Sequence, residues 1–203
     1  MLRLRALAAA AALFTVPAIA STHLARAQNG EPATIADEPV VLMQGAAAAA
    51  AALPDSVADA ASPEALVAAL YDVISGPAGQ PRDWARFRRL FASDGRLVAL
   101  GRRPDGTIGQ STLTPDDYVT RSGAFLVAAG FTERETHRVI HRYGHVAHVF
   151  TAYEGTFTNE GQPGVVRGVN SVQMVETGGR WRVLMVLWND EATAGEPVPA
   201  SFE

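Results

Sequence analysis

Two hydrophobic periods divide the chain. Between Ser62 and Gly76, the apolar residues Leu66, Val67, Leu70, Tyr71, Val73 and Ile74 recur at steps of three and four, which predicts a helix with one buried face. Its start is written in Ser62-Pro63-Glu64: a hydroxyl to cap a free N–H, a proline where no donor is needed, and an acid facing the positive helix end. Gly76-Pro77 stops it. A second, short helix is expected from about Arg82 to Phe91, with Trp84, Phe87, Leu90 and Phe91 on the apolar side and Arg86, Arg88 and Arg89 on the wet one. Ser93-Asp94-Gly95 then turns the chain into a strand from Arg96 to Leu100, and Pro104-Asp105-Gly106 brings a short strand back from Thr107 to Thr112. Thr114-Pro115-Asp116-Asp117 opens a third helix by the same capping logic. Tyr118, Val119, Phe125, Leu126 and Val127 form its apolar side, and Gly130 ends it.

After Gly130 the pattern changes to a β meander, with strands predicted over Thr132 to Tyr143, Val146 to Thr158, Val165 to Glu176 and Arg180 to Trp188. Gly144-His145 and Gly178-Gly179 fit two-residue hairpin turns, and residues 160–164 make the longer loop between the middle pair. The predicted class is therefore α+β: an antiparallel sheet packed against three N-terminal and interleaved helices.

The chain before this domain reads differently. Arg3 and Arg5, an apolar run from Leu7 to Val16 and small residues after Pro17 have the layout of a cleavable secretion signal over residues 1–27. The run is shorter than the roughly 20 apolar residues a membrane span needs. Cleavage is expected after Ala20 or Ala27. Residues 28–61 are rich in alanine, proline and acids and hold no aromatic residue, which predicts a disordered linker. Residues 62–191 form the expected domain, and residues 192–203 a flexible C-terminal tail. The expected product is periplasmic or secreted, without a membrane anchor.

Composition narrows the function. There is no cysteine, so neither a disulfide framework nor a lipidated cysteine is available. All 17 basic residues are arginine, and without Arg3, Arg5 and Arg26 the remainder has 14 against 21 acids, a net of −7. That balance argues against a nucleic-acid partner.

Several phrases resemble one known superfamily. They are Asp83-Trp84 through Leu90-Phe91 before Asp94-Gly95-Arg96-Leu97, the hairpin Tyr143-Gly144-His145-Val146-Ala147, the stretch Arg167 to Gln173, the closing Gly179-Arg180-Trp181-Arg182-Val183, and a final Trp188-Asn189-Asp190. In their order and spacing they resemble the nuclear-transport-factor-2-like superfamily of cone-shaped domains, which includes ketosteroid isomerases and SnoaL-like cyclases, and within it an uncharacterised exported bacterial subgroup. The resemblance covers about residues 62 to 191. It implies a pocket inside the cone and a convex sheet face that often meets a second subunit. It leaves open whether the pocket binds, catalyses or serves association.

Candidate chemistry follows from the strand pattern. The register set by Gly144-His145 places His141 opposite His148. No carboxylate is fixed nearby to complete a metal site, so a surface or interface pair is expected, with neither metal nor cofactor. The strand from Arg167 to Gln173 carries Arg167, Asn170, Ser171 and Gln173 where a central strand should be apolar. These side chains read as a ligand-binding wall, or as a paired network in which Arg167 meets Glu154. Tyr71, Trp84, Tyr118, Tyr153 and Trp188 are the aromatic candidates for the pocket lining, and Asp190 is the candidate general base. The leading expectation is an exported domain that binds a small apolar or mixed-polarity molecule or associates as a homodimer through the convex face. A cofactor-independent isomerase or cyclase using acid–base chemistry is the alternative.

Overall fold

The computed structural model describes residues 57–202. The expected signal, both cleavage sites and the linker as far as residue 56 lie outside the described residues. The elements are α1 (Pro63–Ile74), α2 (Trp84–Arg89), β1 (Phe91–Arg102), β2 (Ile108–Leu113), α3 (Pro115–Ala128), β3 (Thr132–Tyr143), β4 (Val146–Asn159), β5 (Gln162–Thr177), β6 (Arg180–Asp190) and α4 (Glu191–Ala194). The six strands form one curved sheet in the order β2-β1-β6-β5-β4-β3. The long hairpins from β3 to β6 and the β1–β2 pair are antiparallel, whereas β1 and β6 run parallel. That single parallel pair is what joins the N-terminal half to the meander.

The helix starts are those the caps dictate. Ser62 accepts the Ala65 N–H at 3.2 Å, and Thr114 and Asp117 form a reciprocal capping box at the head of α3. One expectation needs correction: Asp94-Gly95 is not a turn leading into a strand, because β1 already begins at Phe91, opposite Val183. The irregularity between Phe91 and Arg96 is a bulge inside β1, and a Cβ at Gly95 would stand 3.0 Å from the carbonyl oxygens of Ala92 and Val183. The ordered unit also begins before Ser62. Ala60 is buried, its carbonyl accepts the Trp181 N–H at 3.0 Å, and Asp59 pairs with Arg86 at 2.8 Å.

The core lies between the helices and one face of the sheet. Leu66, Val67, Phe87, Val149, Val172, Met174 and Val183 are at most 2% exposed, and burying side chains of this size contributes about 1.5–3 kcal/mol each. Arg82 is also buried. Its guanidinium donates to the carbonyls of Ile74, Pro77, Gln80, Gly76, Leu126 and Phe131, tying together the ends of α1 and α3 and the approach to β3. Past β6, α4 starts from an Asp190 cap, and the Phe202 ring meets His137 at 4.3 Å and Phe150 at 4.7 Å on the sheet face away from the helices. Among the described residues no helix is long and apolar enough to cross a membrane.

Candidate functional site

Cross-strand register decides which side chains look into the helix-covered side. Val149 pairs with Val172 and Val172 with Val186, all buried under the helices. Two residues along each strand, Thr151, Asn170 and Trp188 form the next inward row. The row after that is Tyr153, Gly168 and Asp190. Gly168 is needed there, because a Cβ would stand 2.6 Å from the Tyr153 hydroxyl and 2.5 Å from the Asn189 carbonyl oxygen. The missing side chain lets the Tyr153 ring lie against β5.

β3 completes the wall by an irregularity. Ile140 and Arg138 follow the regular alternation, but Thr136 is an extra residue between the Glu135–Tyr153 and His137–Ala152 pairs. A one-residue bulge reverses which side chains face inward beyond it. Glu135 and Glu133 therefore turn into the cone, in place of Arg134 and Thr136.

The result is a linked polar group. Thr151 Oγ1 donates to Glu135 Oε1 at 2.6 Å. With its single proton so used, Thr151 accepts from the Tyr71 hydroxyl at 3.1 Å, and the Tyr71 oxygen accepts from Asn170 Nδ2 at 3.2 Å. Arg138 donates to the other Glu135 oxygen at 2.9 Å. Glu133 joins only loosely: Asn170 Nδ2 is 3.4 Å from its Oε1. Its main chain is held more firmly, because its N–H donates to Ser75 Oγ at 2.8 Å, and Ser75 in turn donates to the Tyr71 carbonyl at 2.6 Å.

Glu133 is partly buried on the inner face. Burial pushes its carboxyl up to about 8, with the Asn170 amide opposing only weakly. No arginine acts on it. Tyr71, Tyr118 and Tyr153 are pushed up as well, by burial first and then by the Glu133 charge. The Tyr118 ring stacks on Phe87 at 5.3 Å and meets Trp188 edge-on at 6.4 Å, forming the aromatic side of the site.

Five of the expected ligand residues, Tyr71, Tyr118, Tyr153, Asn170 and Trp188, thus come together in the cone. Arg167 and Gln173 do not join them. Strand alternation turns both outward from Asn170, and Arg167 pairs with Glu154 at 2.8 Å. Trp84 lies between α2 and α3, against the space left by Gly123, and edge-on to Phe87 at 6.0 Å. Asp190 is on the inner face, but its carboxylate caps α4 by accepting the Thr193 N–H at 2.7 Å, which suits a structural acid better than a free base. Glu133 and Glu135 were not legible as site residues, since strict alternation counted from Ile140 turns them outward. On the opposite face the His141 and His148 rings are 6.4 Å apart, and His148 Nε2 lies 3.0 Å from Ser171 Oγ. Among the described residues no three His, Asp or Glu side chains are grouped to hold a metal ion.

A curved six-stranded sheet with helices packed on its inner face over such a lining gives the chain an α+β fold, and its neighbours among solved structures include NTF2-like domains. No family model and no curated protein matches it in sequence. Among solved structures it is similar to an NTF2-like protein with a cystatin-like fold from Novosphingobium aromaticivorans, at 14% identity and a TM-score of 0.43 over 56% of this chain and 75% of that one. It is similar too to the association domain of C. elegans CaMKII, at 16% identity and a TM-score of 0.42 over 61% and 89% of the two chains. A third similarity is to LinA, at 10% identity and a TM-score of 0.49 over 62% and 80%.

Proposed function

We propose that the protein is exported to the periplasm or beyond, binds a small, largely apolar molecule in the cone, and uses Glu133 to move a proton on that molecule without a cofactor. The observation that supports this reading is the Glu133 carboxyl itself. Burial raises it to about 8, its charge reaches the phenols of Tyr71, Tyr118 and Tyr153, and Asn170 Nδ2 meets its Oε1 only at 3.4 Å. An acid whose proton leaves near the working pH is poised to act as general acid below that value and general base above it. Asn170 and Tyr71 then position the group, and the Thr151–Glu135–Arg138 chain holds Tyr71. The reading extends to a homodimer through the convex face, where Val146 and Met185 are 58% and 39% exposed.

Ring opening of 5-nitrobenzisoxazole tests the proton step, because a buried carboxylate removes the ring C–H proton as the N–O bond breaks. The expected rate rises with pH through about 8 and falls to the buffer level in Glu133→Gln. Equal rates in the two proteins would reduce the site to binding alone. A retained molecule and the subunit count in native mass spectrometry of the mature chain test the other two parts, and an empty monomer would overturn both.

A further inference from the structure

On the sheet face away from the helices, one cross-strand row is covered. His137 on β3, Ala152 on β4, Val169 on β5 and Asn189 on β6 pair in turn across four strands. Ala152 is 0% exposed although strand alternation points it away from the helices, and Phe150, two residues along the same face, is half-buried. The cover comes from the segment after α4. Arg102 on β1 holds its start by donating to the Thr193 carbonyl at 2.9 Å, and at its far end the Phe202 ring stands 4.3 Å from His137 and 4.7 Å from Phe150. The segment thus crosses the strands from β6 to β3, a span of about 14 Å at the usual strand spacing. Residues 195–202 reach that far with Pro197 and Pro199 favouring an extended chain.

This strap is weakly held. Its two prolines have no N–H to give, and Val198 gives its own to Glu191 Oε1 at 3.0 Å, back on α4 rather than to the sheet. At the two ends of the row, His137 Nε2 and Asn189 Oδ1 are buried without a hydrogen-bond partner among the described residues. Leaving such an atom unpaired costs about as much as burying a large apolar side chain gains, so covering the row stabilises little. Gly195, in the left-handed region at φ +80, is the joint at which the segment leaves α4.

Resting on the homodimer part of the reading above, we infer that this row is a docking groove for the same segment of a second copy: two chains exchange straps, and each Phe202 seats against the partner's His137 and Phe150. The segment seated within one chain defines what the groove takes, an extended, proline-stiffened run that ends in an aromatic ring. Exchange keeps that contact, because the same ring enters the same seat. It also brings together two faces whose Val146 and Met185, on the same side of the sheet, are 58% and 39% exposed. Two copies meeting with each strap on its own chain would have the straps between their faces.

The test compares the dimer dissociation constant of the full mature chain with that of Phe202→Ala by sedimentation. Exchange weakens the dimer of the variant roughly tenfold or more, as the loss of a large buried side chain does. A dimer unchanged or tightened in Phe202→Ala would overturn the exchange, since a strap seated only on its own chain is neutral to the dimer or obstructs it. The absence of cysteine gives a second measurement. Ser201→Cys and Val139→Cys are made in separate chains of different mass, mixed and oxidised; Val139 pairs with Phe150 on the outer face. A disulfide between the two unlike chains is expected, and it is lost when Phe202→Ala is added to the Ser201→Cys chain. A dimer that does not form this crosslink would overturn the exchange and leave the homodimer reading standing. A chain that stays monomeric at every concentration would overturn both.

Discussion

Tyr71 on α1 and Thr151 on β4 stand 80 residues apart in the chain, and their hydroxyl oxygens are 3.1 Å apart inside the cone. Because Thr151 spends its proton on Glu135, the direction of the whole chain is set: Asn170 donates to Tyr71, Tyr71 to Thr151, and Thr151 to Glu135. The helix is thereby bonded to the centre of the sheet, beside the Glu133 carboxyl.

Tyr71→Phe removes the middle of that chain and leaves an Asn170 donor and a Thr151 acceptor short of a partner in a buried place. We expect a loss of about 1–3 kcal/mol in urea unfolding. Thr151→Val, which breaks the same chain one step on, should lose a similar amount. Combining the two should cost less than their sum, because they share one network.

Glu133 makes stability depend on pH in an unusual direction for an acid. Its folded pKa of about 8 lies above the ordinary value of 4.5, so the folded state binds more protons than the unfolded one between those limits. Its contribution is fully present below about pH 4.5 and is lost as pH rises toward 8. Denaturant midpoints taken across this window should fall more steeply in the wild type than in Glu133→Gln. Parallel slopes would contradict the burial of this carboxyl.

Arg82→Lys tests the clamp beneath the site. Lysine offers a point charge where six carbonyls need a fork, and a buried ammonium with fewer partners should cost at least about 2–3 kcal/mol. Hydrogen exchange should quicken first at residues 74–82 and at the start of β3, which the guanidinium holds together.

Gly168→Ala puts a methyl group where the Tyr153 hydroxyl now lies. The ring has to leave β5, and we expect about 1–3 kcal/mol of destabilisation together with a change in tyrosine absorbance. Thermal melting followed at that band measures both. Gly164→Ala is the control of a different kind, since its neighbour Phe157 is half-buried near the outer end of the hairpin.

Local physics made most of the fold legible in the sequence. Ser62, Thr114 and the following prolines fixed the helix starts, the bounds of β3 came directly from its turns, and alternation separated Asn170 from Arg167 and Gln173. Those effects act between neighbours a few residues apart. The Arg167–Glu154 pair could also be reached, because a hairpin register is short-range once its turn is known. Which acid faces the cone was decided only in three dimensions. Whether Glu133 faces the cone depends on one extra residue at Thr136, and nothing in residues 132–143 marks where the ladder against β4 will slip. Its raised proton affinity depends in turn on how closely α1, α3, β4 and β5 surround it, and on their supplying no positive charge. Desolvation belongs to the assembled set of elements, so no reading of one strand contains it.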